Sequence, residues 1–171
     1  MTRSCVVSRR TALNVGAGAA LLFAGLLAGS PAFAQQSPPD SPKAKQLAAL
    51  VDKAAALIDS KGKAVFPEFG KPDSEWRSGD TYLFIDTMNG IQIFSGAFPN
   101  LDGKNFSDVK DSNGKLFVKA FEEMVQSHGS GWVDYTWPKP GQSQPSQKWS
   151  YVKSVTIDGA SGLVGAGFYP Q

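Results

Sequence analysis

The sequence predicts an α+β domain with a long N-terminal helix, a second short helix and a five-stranded antiparallel sheet. Three observations carry this. After Pro42, apolar residues recur at three- and four-residue spacing, the stripe of an amphipathic helix. Five later segments are short and rich in aromatic and β-branched residues, as half-buried strands are. Asn89-Gly90, Pro138-Lys139-Pro140-Gly141 and Asp158-Gly159 join neighbouring strands by tight turns, which suits antiparallel pairing, whereas parallel neighbours need long crossovers.

Residues 1–34 read as a signal peptide that precedes this domain. Arg3, Arg9 and Arg10 make a basic start, an apolar run covers residues 15–28, and Ala32 and Ala34 place small residues before an expected cleavage after Ala34. The run is shorter than the roughly 20 residues that span a bilayer; an uncleaved anchor is the competing reading. Ser8-Arg9-Arg10-Thr11-Ala12-Leu13 partly resembles a twin-arginine export signal, but Ala12 stands where a bulky apolar residue is usual. General secretion and twin-arginine export therefore both stay open.

Cleavage there changes what the composition means. The chain has 17 Lys+Arg against 15 Asp+Glu, and the signal removes three arginines and no acid, leaving a net charge near −1. The basic excess belongs to the precursor and predicts no nucleic-acid partner. The single cysteine, Cys5, also leaves, so the mature chain is expected to lack a disulfide, a thiol nucleophile or a thiolate metal site. Residues 35–171 are enough for one domain, not two.

Residues 35–42 form a polar, proline-rich leader expected to be disordered. Ser41-Pro42 reads as N-cap plus first-turn proline. Leu47, Leu50, Val51, Ala54, Leu57 and Ile58 form the apolar stripe, and Gly62 is the expected C-cap. Residues 66–79 look irregular, but Phe66, Phe69 and Trp76 imply that this segment packs against something. Strands are expected at 81–86 and 91–95, then a loop over 98–110. Asp111-Ser112-Asn113-Gly114 is a turn into a helix over 115–127, with Phe117, Phe121, Met124 and Val125 on its buried face. Strands at 131–137, 149–157 and 163–169 complete the sheet. The long helix is expected on one face, with the loops and the short helix on the other.

An ordered set of motifs runs through this chain: Gly79-Asp80-x-Tyr82-x-Phe84, Asn89-Gly90, Gly103-Lys104-Asn105 and Asp111-x-Asn113-Gly114-Lys115. Gly131-Trp132-Val133-x-Tyr135-x-Trp137-Pro138-Lys139-Pro140-Gly141, Lys148-x-x-Tyr151-Val152-Lys153 and Gly165-x-Gly167-x-Tyr169 follow. In this order they resemble the Cache family, specifically the single-Cache extracytoplasmic sensor domains of bacteria, over residues 43–169. The resemblance implies a PAS-like fold, residues 43–171 as a single Cache domain, and a small molecule, commonly a short organic acid, held between the sheet and its covering loops. Many relatives sit between two membrane spans in chemoreceptors or sensor kinases. This chain is expected to be a free, secreted version, read by a separate membrane sensor kinase or chemoreceptor. A homodimer through the 43–60 helix would match relatives. One departure stands out: relatives often carry a His near the end of the second strand, where Ser95 stands here.

The candidate ligand-binding residues follow. Trp137 and Lys139 end one strand and Lys148 and Tyr151 open the next, so a hairpin brings them close. An ammonium and a phenol beside aromatic walls suit a small carboxylate. Spacing alone favours solvated lysines and core aromatics; the resemblance raises the binding reading, with Lys148 and Tyr151 foremost. Tyr135 belongs to the same strand motif. Tyr82 and Phe84 share one strand face, as pocket wall or plain core, with Leu83 and Ile85 on the other. Arg77 could clamp a carboxylate, but reads more simply as an exposed arginine.

Other chemistries find little footing. Aligning Gly114 with the EF-hand glycine puts Val109 and Ala120 at ligand positions, so that calcium motif fails. His128 is the only histidine, which disfavours a transition-metal site and a general base. Gly159-Ala160-Ser161-Gly162 lacks the spacing of a nucleophile elbow, and no phosphate loop or dinucleotide fingerprint occurs. The expectation is a non-enzymatic, exported ligand sensor without a cofactor. The alternative is an interaction or accessory module whose pocket is vestigial.

Overall fold

The structure, a computed structural model, describes residues 40–170. The expected signal peptide and residues 35–39 of the leader lie outside the described residues. Helix α1 spans Pro42–Lys61. Ser41 caps it in an extended conformation, its hydroxyl accepting from the Ala44 N–H at 3.1 Å, and Pro42 occupies the first turn where no N–H is needed. Leu47, Val51, Ala54 and Ile58 are buried along one stripe. Each large side chain among them contributes roughly 1.5–3 kcal/mol by leaving water. Gly62 ends the helix.

A short 3-10 turn (Gly62–Val65) and a single-turn helix α2 (Phe66–Phe69) follow, where the sequence suggested irregular chain. They form because Val65 and Phe69 are buried and Phe66, Phe69 and Trp76 pack as a cluster that Phe94 completes, ring centroids 4.8–6.4 Å apart.

Six strands make one antiparallel sheet: β1 (Arg77–Ser78), β2 (Thr81–Thr87), β3 (Gln92–Ser95), β4 (Ser130–Pro138), β5 (Pro145–Ile157) and β6 (Ala160–Phe168). The order is β1-β2-β6-β5-β4, with β3 also pairing β2. Five are the expected strands; the sixth is the two-residue β1. Strand β5 begins four residues earlier than the sequence suggested, because its ladder with β4 continues to Pro138 opposite Pro145. Between β5 and β6, Asp158 and Gly159 both take positive φ, 50° and 85°, the signature of a two-residue hairpin turn matched to strand twist.

The sheet divides two cores. Leu83, Ile85, Val155 and Val164 face α1, which packs on β5 and β6. Tyr82, Phe84, Val133, Tyr135 and Val152 face helix α3 (Phe117–His128) and the segment after β3. Helix α3 starts two residues later than expected, since the Lys115 N–H already donates to the Asp111 carboxylate. That same carboxylate accepts from the Asn113 and Thr136 N–H groups, and Lys115 donates to the Asp134 carbonyl. The 111–115 turn thus covers backbone groups of the edge strand β4, which would otherwise invite pairing with another chain. No helix among the described residues is long and apolar enough to cross a membrane.

Candidate functional site

Strand parity decides what the sheet brings together. Lys148 on β5 lies directly opposite Tyr135 on β4, and Trp137 is two residues along the same β4 face. From β2 come Tyr82 and Phe84. Strand β6 separates β2 from β5, and Gly167 sits on it opposite Ser150. A Cβ on Gly167 would fall 2.4 Å from both Lys148 Cε and Ser150 Oγ, so the glycine leaves the volume the lysine occupies.

Lys148 is 0% exposed. Its Nζ donates to the Tyr82 hydroxyl at 2.8 Å and lies 4.2 Å from the Tyr82 ring centroid. The rings of Tyr169, Phe84 and Tyr135 stand at 5.5, 5.7 and 5.7 Å. No carboxylate comes within 4 Å of this ammonium among the described residues. Aromatic faces return about 2 kcal/mol to a desolvated cation, whereas burying one unpaired costs several. Desolvation wins: burial brings the Lys148 pKa down to about 7, with only distant Asp80 raising it. Burial pushes the Tyr82, Tyr135 and Tyr169 hydroxyls up, so these phenols stay protonated. Tyr135 shares a hydrogen bond with Ser150 (3.1 Å), and Tyr169 donates to the Pro138 carbonyl (2.7 Å).

A cavity adjoins this group. Tyr82, Phe84, Asp86, Tyr135 and Trp137 line it from the sheet, Phe117 and Phe121 from α3, and Phe98 and Phe106 from the segment after β3. Its volume is about 20 Å3, room for roughly one water. The rings of Phe98, Phe106 and Phe117 meet Trp137 at 5.4–6.2 Å, and Phe117 stacks on Tyr135 at 4.9 Å. Ser95 also lines the cavity, its hydroxyl accepting from the Phe98 N–H.

Of the seven sequence candidates, the structure groups Tyr82, Phe84, Tyr135, Trp137 and Lys148. Two fall elsewhere. Tyr151 is three residues from Lys148 on one strand, so it points to the opposite face; its ring packs on Trp132 beneath α1 and its hydroxyl donates to Ser130. Lys139 does not line the cavity: it stands half-buried at the group's border, 3.6 Å from Asp80 and 5.4 Å from the centroid of the Tyr169 ring. Arg77 donates to the Gly70 carbonyl, away from the cavity. Sequence reasoning missed Asp86, Ser150 and Tyr169 as members. Asp86 continues the Tyr82-x-Phe84 alternation and was there to be read; Ser150 and Tyr169 join through the pairing of β5 and β6. No group of three His, Cys, Asp or Glu among the described residues is placed to hold a metal ion.

Comparison with known proteins gives a consistent pattern. The methyl-accepting chemotaxis protein McpP of Pseudomonas putida is 31% identical over 90 residues, which are 53% of this chain and 16% of that protein. This chain therefore matches only a small part of that receptor. A solved periplasmic sensor domain of a chemotaxis protein superposes with a TM-score of 0.58 at 29% identity, over 72% of this chain and 87% of that one. A Cache chemosensory domain solved for its carboxylic acid recognition superposes at 0.65 with 26% identity, over 75% and 94%. A methyl-accepting chemotaxis protein from Vibrio parahaemolyticus, 22% identical with a TM-score of 0.61 over 74% and 88%, shares the fold. The Cache domain family model matches residues 72–169, more than half of the chain. The chain belongs to the Cache domain family.

Proposed function

We propose that this chain is an exported, non-catalytic sensor domain that binds a short organic acid in the cavity between the sheet and α3, with Lys148 as counter-charge to the carboxylate. One observation carries the reading. Lys148 is wholly buried among phenols and has no acidic partner. An anion entering the cavity would supply the missing charge and restore a charge-assisted hydrogen bond in low dielectric, where such pairs are strong. The solved relative that recognises carboxylic acids and the chemotaxis receptor relative support the same class of ligand and of output. The basic and apolar leader supports export, and a separate membrane sensor kinase or chemoreceptor would read the bound state.

At about 20 Å3 the cavity admits no C2–C4 acid until rings move. Phe98 and Phe106, carried on the segment after β3, are the elements whose displacement opens it. Thermal melting and calorimetry with acetate, propionate, butyrate and lactate test the proposal, because a ligand that binds only the folded state must raise the melting temperature. Lys148→Met should abolish the rise while leaving the domain folded. Absence of any rise in the wild-type chain would overturn it.

The small cavity also favours a second reading: a pocket filled by its own aromatics, in a module that acts through a partner protein. A partner that co-purifies and binds Lys148→Met as tightly as wild type, with every acid inert, would select it.

A further inference from the structure

The cavity wall beyond Tyr82, the residue that accepts from Lys148, has the opposite character. Strand β2 places Tyr82, Phe84 and Asp86 on one face, and Asp86 is buried at 4% exposure while lining the cavity. No lysine or arginine lies within 4 Å of its carboxyl among the described residues. Glu122 on α3 and Asp102 in the loop after β3 both act on it as like charges. Glu122 Oε1 is itself buried without a hydrogen-bond partner. Lys119, three residues before Glu122, acts on it as an opposite charge while its ammonium reaches Asp108 at 3.4 Å. Burial first, then Glu122 and Asp102, push the Asp86 pKa up to about 8. One face of β2 thus carries, along the cavity wall, Tyr82 with the buried Lys148 ammonium on its hydroxyl and, four residues on, a buried carboxyl with two more acids near it.

We propose that the ligand is amphoteric, an ω-amino carboxylate whose carboxylate meets Lys148 and whose ammonium meets Asp86. This rests on reading the cavity as the ligand site. The spacing selects the ω-amino class. Residues 82 and 86 are four apart on a strand, about 13 Å between α-carbons. Lys148 shortens the gap by reaching to 5.7 Å from the Phe84 ring. An α-amino acid carries its two charges on neighbouring atoms and cannot touch both ends. A chain with several methylenes can, and its apolar middle would lie along Phe84 and Phe121, which stack at 5.4 Å. A plain fatty acid would satisfy Lys148 and leave its methyl end against buried carboxyls.

Calorimetry on the full chain at pH 7 with matched pairs tests this: butyrate against 4-aminobutyrate, and pentanoate against 5-aminopentanoate. The expected result is at least tenfold tighter binding of one amino acid over its plain counterpart. Asp86→Asn should erase that preference while keeping butyrate binding, which also shows that the variant is folded. Glu122→Gln, at a more exposed position, should reduce the preference. Equal affinity within both pairs, or a preference unchanged in Asp86→Asn, would overturn the proposal and leave the carboxylate reading standing. Failure of all four acids to bind while acetate, propionate or lactate still raises the melting temperature would overturn the amphoteric proposal alone; failure of those acids as well would remove both.

Discussion

Lys148 occupies the space that a side chain on Gly167 would fill: a Cβ there would stand 2.4 Å from Lys148 Cε and 2.8 Å from the Trp149 carbonyl. The buried cation therefore depends on a neighbouring strand as much as on its own. Gly167→Ala should cost about 1–3 kcal/mol by overpacking. It should also displace the lysine and weaken carboxylate binding at least tenfold. Urea melts and calorimetry read the two effects, and Gly141→Ala, at a turn with open space around it, should leave binding unchanged.

The lowered pKa of Lys148 sets a pH dependence for binding. The group is about 7 in the empty site because of burial, and a carboxylate needs its charged form. Below pH 7 the ammonium is present and affinity should be level until the ligand itself is protonated. Above pH 7 the empty protein must take up a proton on binding, so affinity should fall roughly tenfold per pH unit. Calorimetry at pH 6, 7, 8 and 9 measures the slope, and protonation heats of different buffers count the proton. Affinity that is flat from pH 6 to 9 would disprove Lys148 as the counter-charge.

Tyr82 and Tyr151 are a matched test of strand parity. The Tyr82 hydroxyl accepts the Lys148 hydrogen bond, so Tyr82→Phe should weaken carboxylate binding about tenfold, in line with the ~1.5–3 kcal/mol of a charged hydrogen bond. The Tyr151 hydroxyl donates to Ser130 on the α1 face. Tyr151→Phe should cost about 0.5–1.5 kcal/mol of stability and leave affinity unchanged. The opposite ranking would place the site on the other face of the sheet.

This pair also shows how much was legible in the sequence. Local periodicity located α1 and α3, and turn chemistry located the β2–β3, β4–β5 and β5–β6 hairpins, because those signals are carried by residues adjacent in the chain; the short β1–β2 hairpin across Gly79-Asp80 went unread. The alternation that put Tyr82 and Phe84 on one face would equally have separated Lys148 from Tyr151 and added Asp86. The hairpin argument overrode it by counting proximity along the chain instead of parity. Gly167 and Tyr169 could not be placed by local signals. They reach Lys148 only because β6 lies between β2 and β5, a non-local pairing set by how the whole sheet closes. The tight filling of the cavity is likewise a matter of ring packing across four separate segments.

Asp86 predicts a pH dependence of stability with the opposite sign to ordinary carboxylates. Burial raises its folded pKa from 3.8 to about 8. Between those values the folded chain holds a proton that the unfolded chain has lost. Stability from this group therefore declines as pH rises from about 4 to 8, by up to ~1.4 kcal/mol per pH unit. Asp86→Asn keeps the shape and removes the titration. Urea midpoints at pH 5 and 8 should fall less in the variant than in wild type; an identical fall in both would show that Asp86 is not buried uncharged.

Asp111 works the other way. Desolvation pushes its carboxyl up, but N–H donors from Thr136, Lys115 and Asn113 outweigh it and hold the pKa below 3.8. A depressed folded pKa gives stability that is present above the unfolded value and is lost as pH falls through the folded one. The same oxygens tie the 111–115 turn to the outer edge of β4, at 2.9 Å for Thr136 and 2.8 Å for Lys115. Asp111→Ala should remove this acid-labile contribution and cost roughly 1–3 kcal/mol at neutral pH, because several backbone donors lose their partner at once. Asp111→Asn keeps acceptors without the charge and should fall between. The Thr136 amide should exchange with solvent faster in Asp111→Ala than in wild type, and because the freed N–H sits on the edge strand, that variant should also aggregate at lower concentration. Unchanged exchange at Thr136 would show that the turn does not hold the edge.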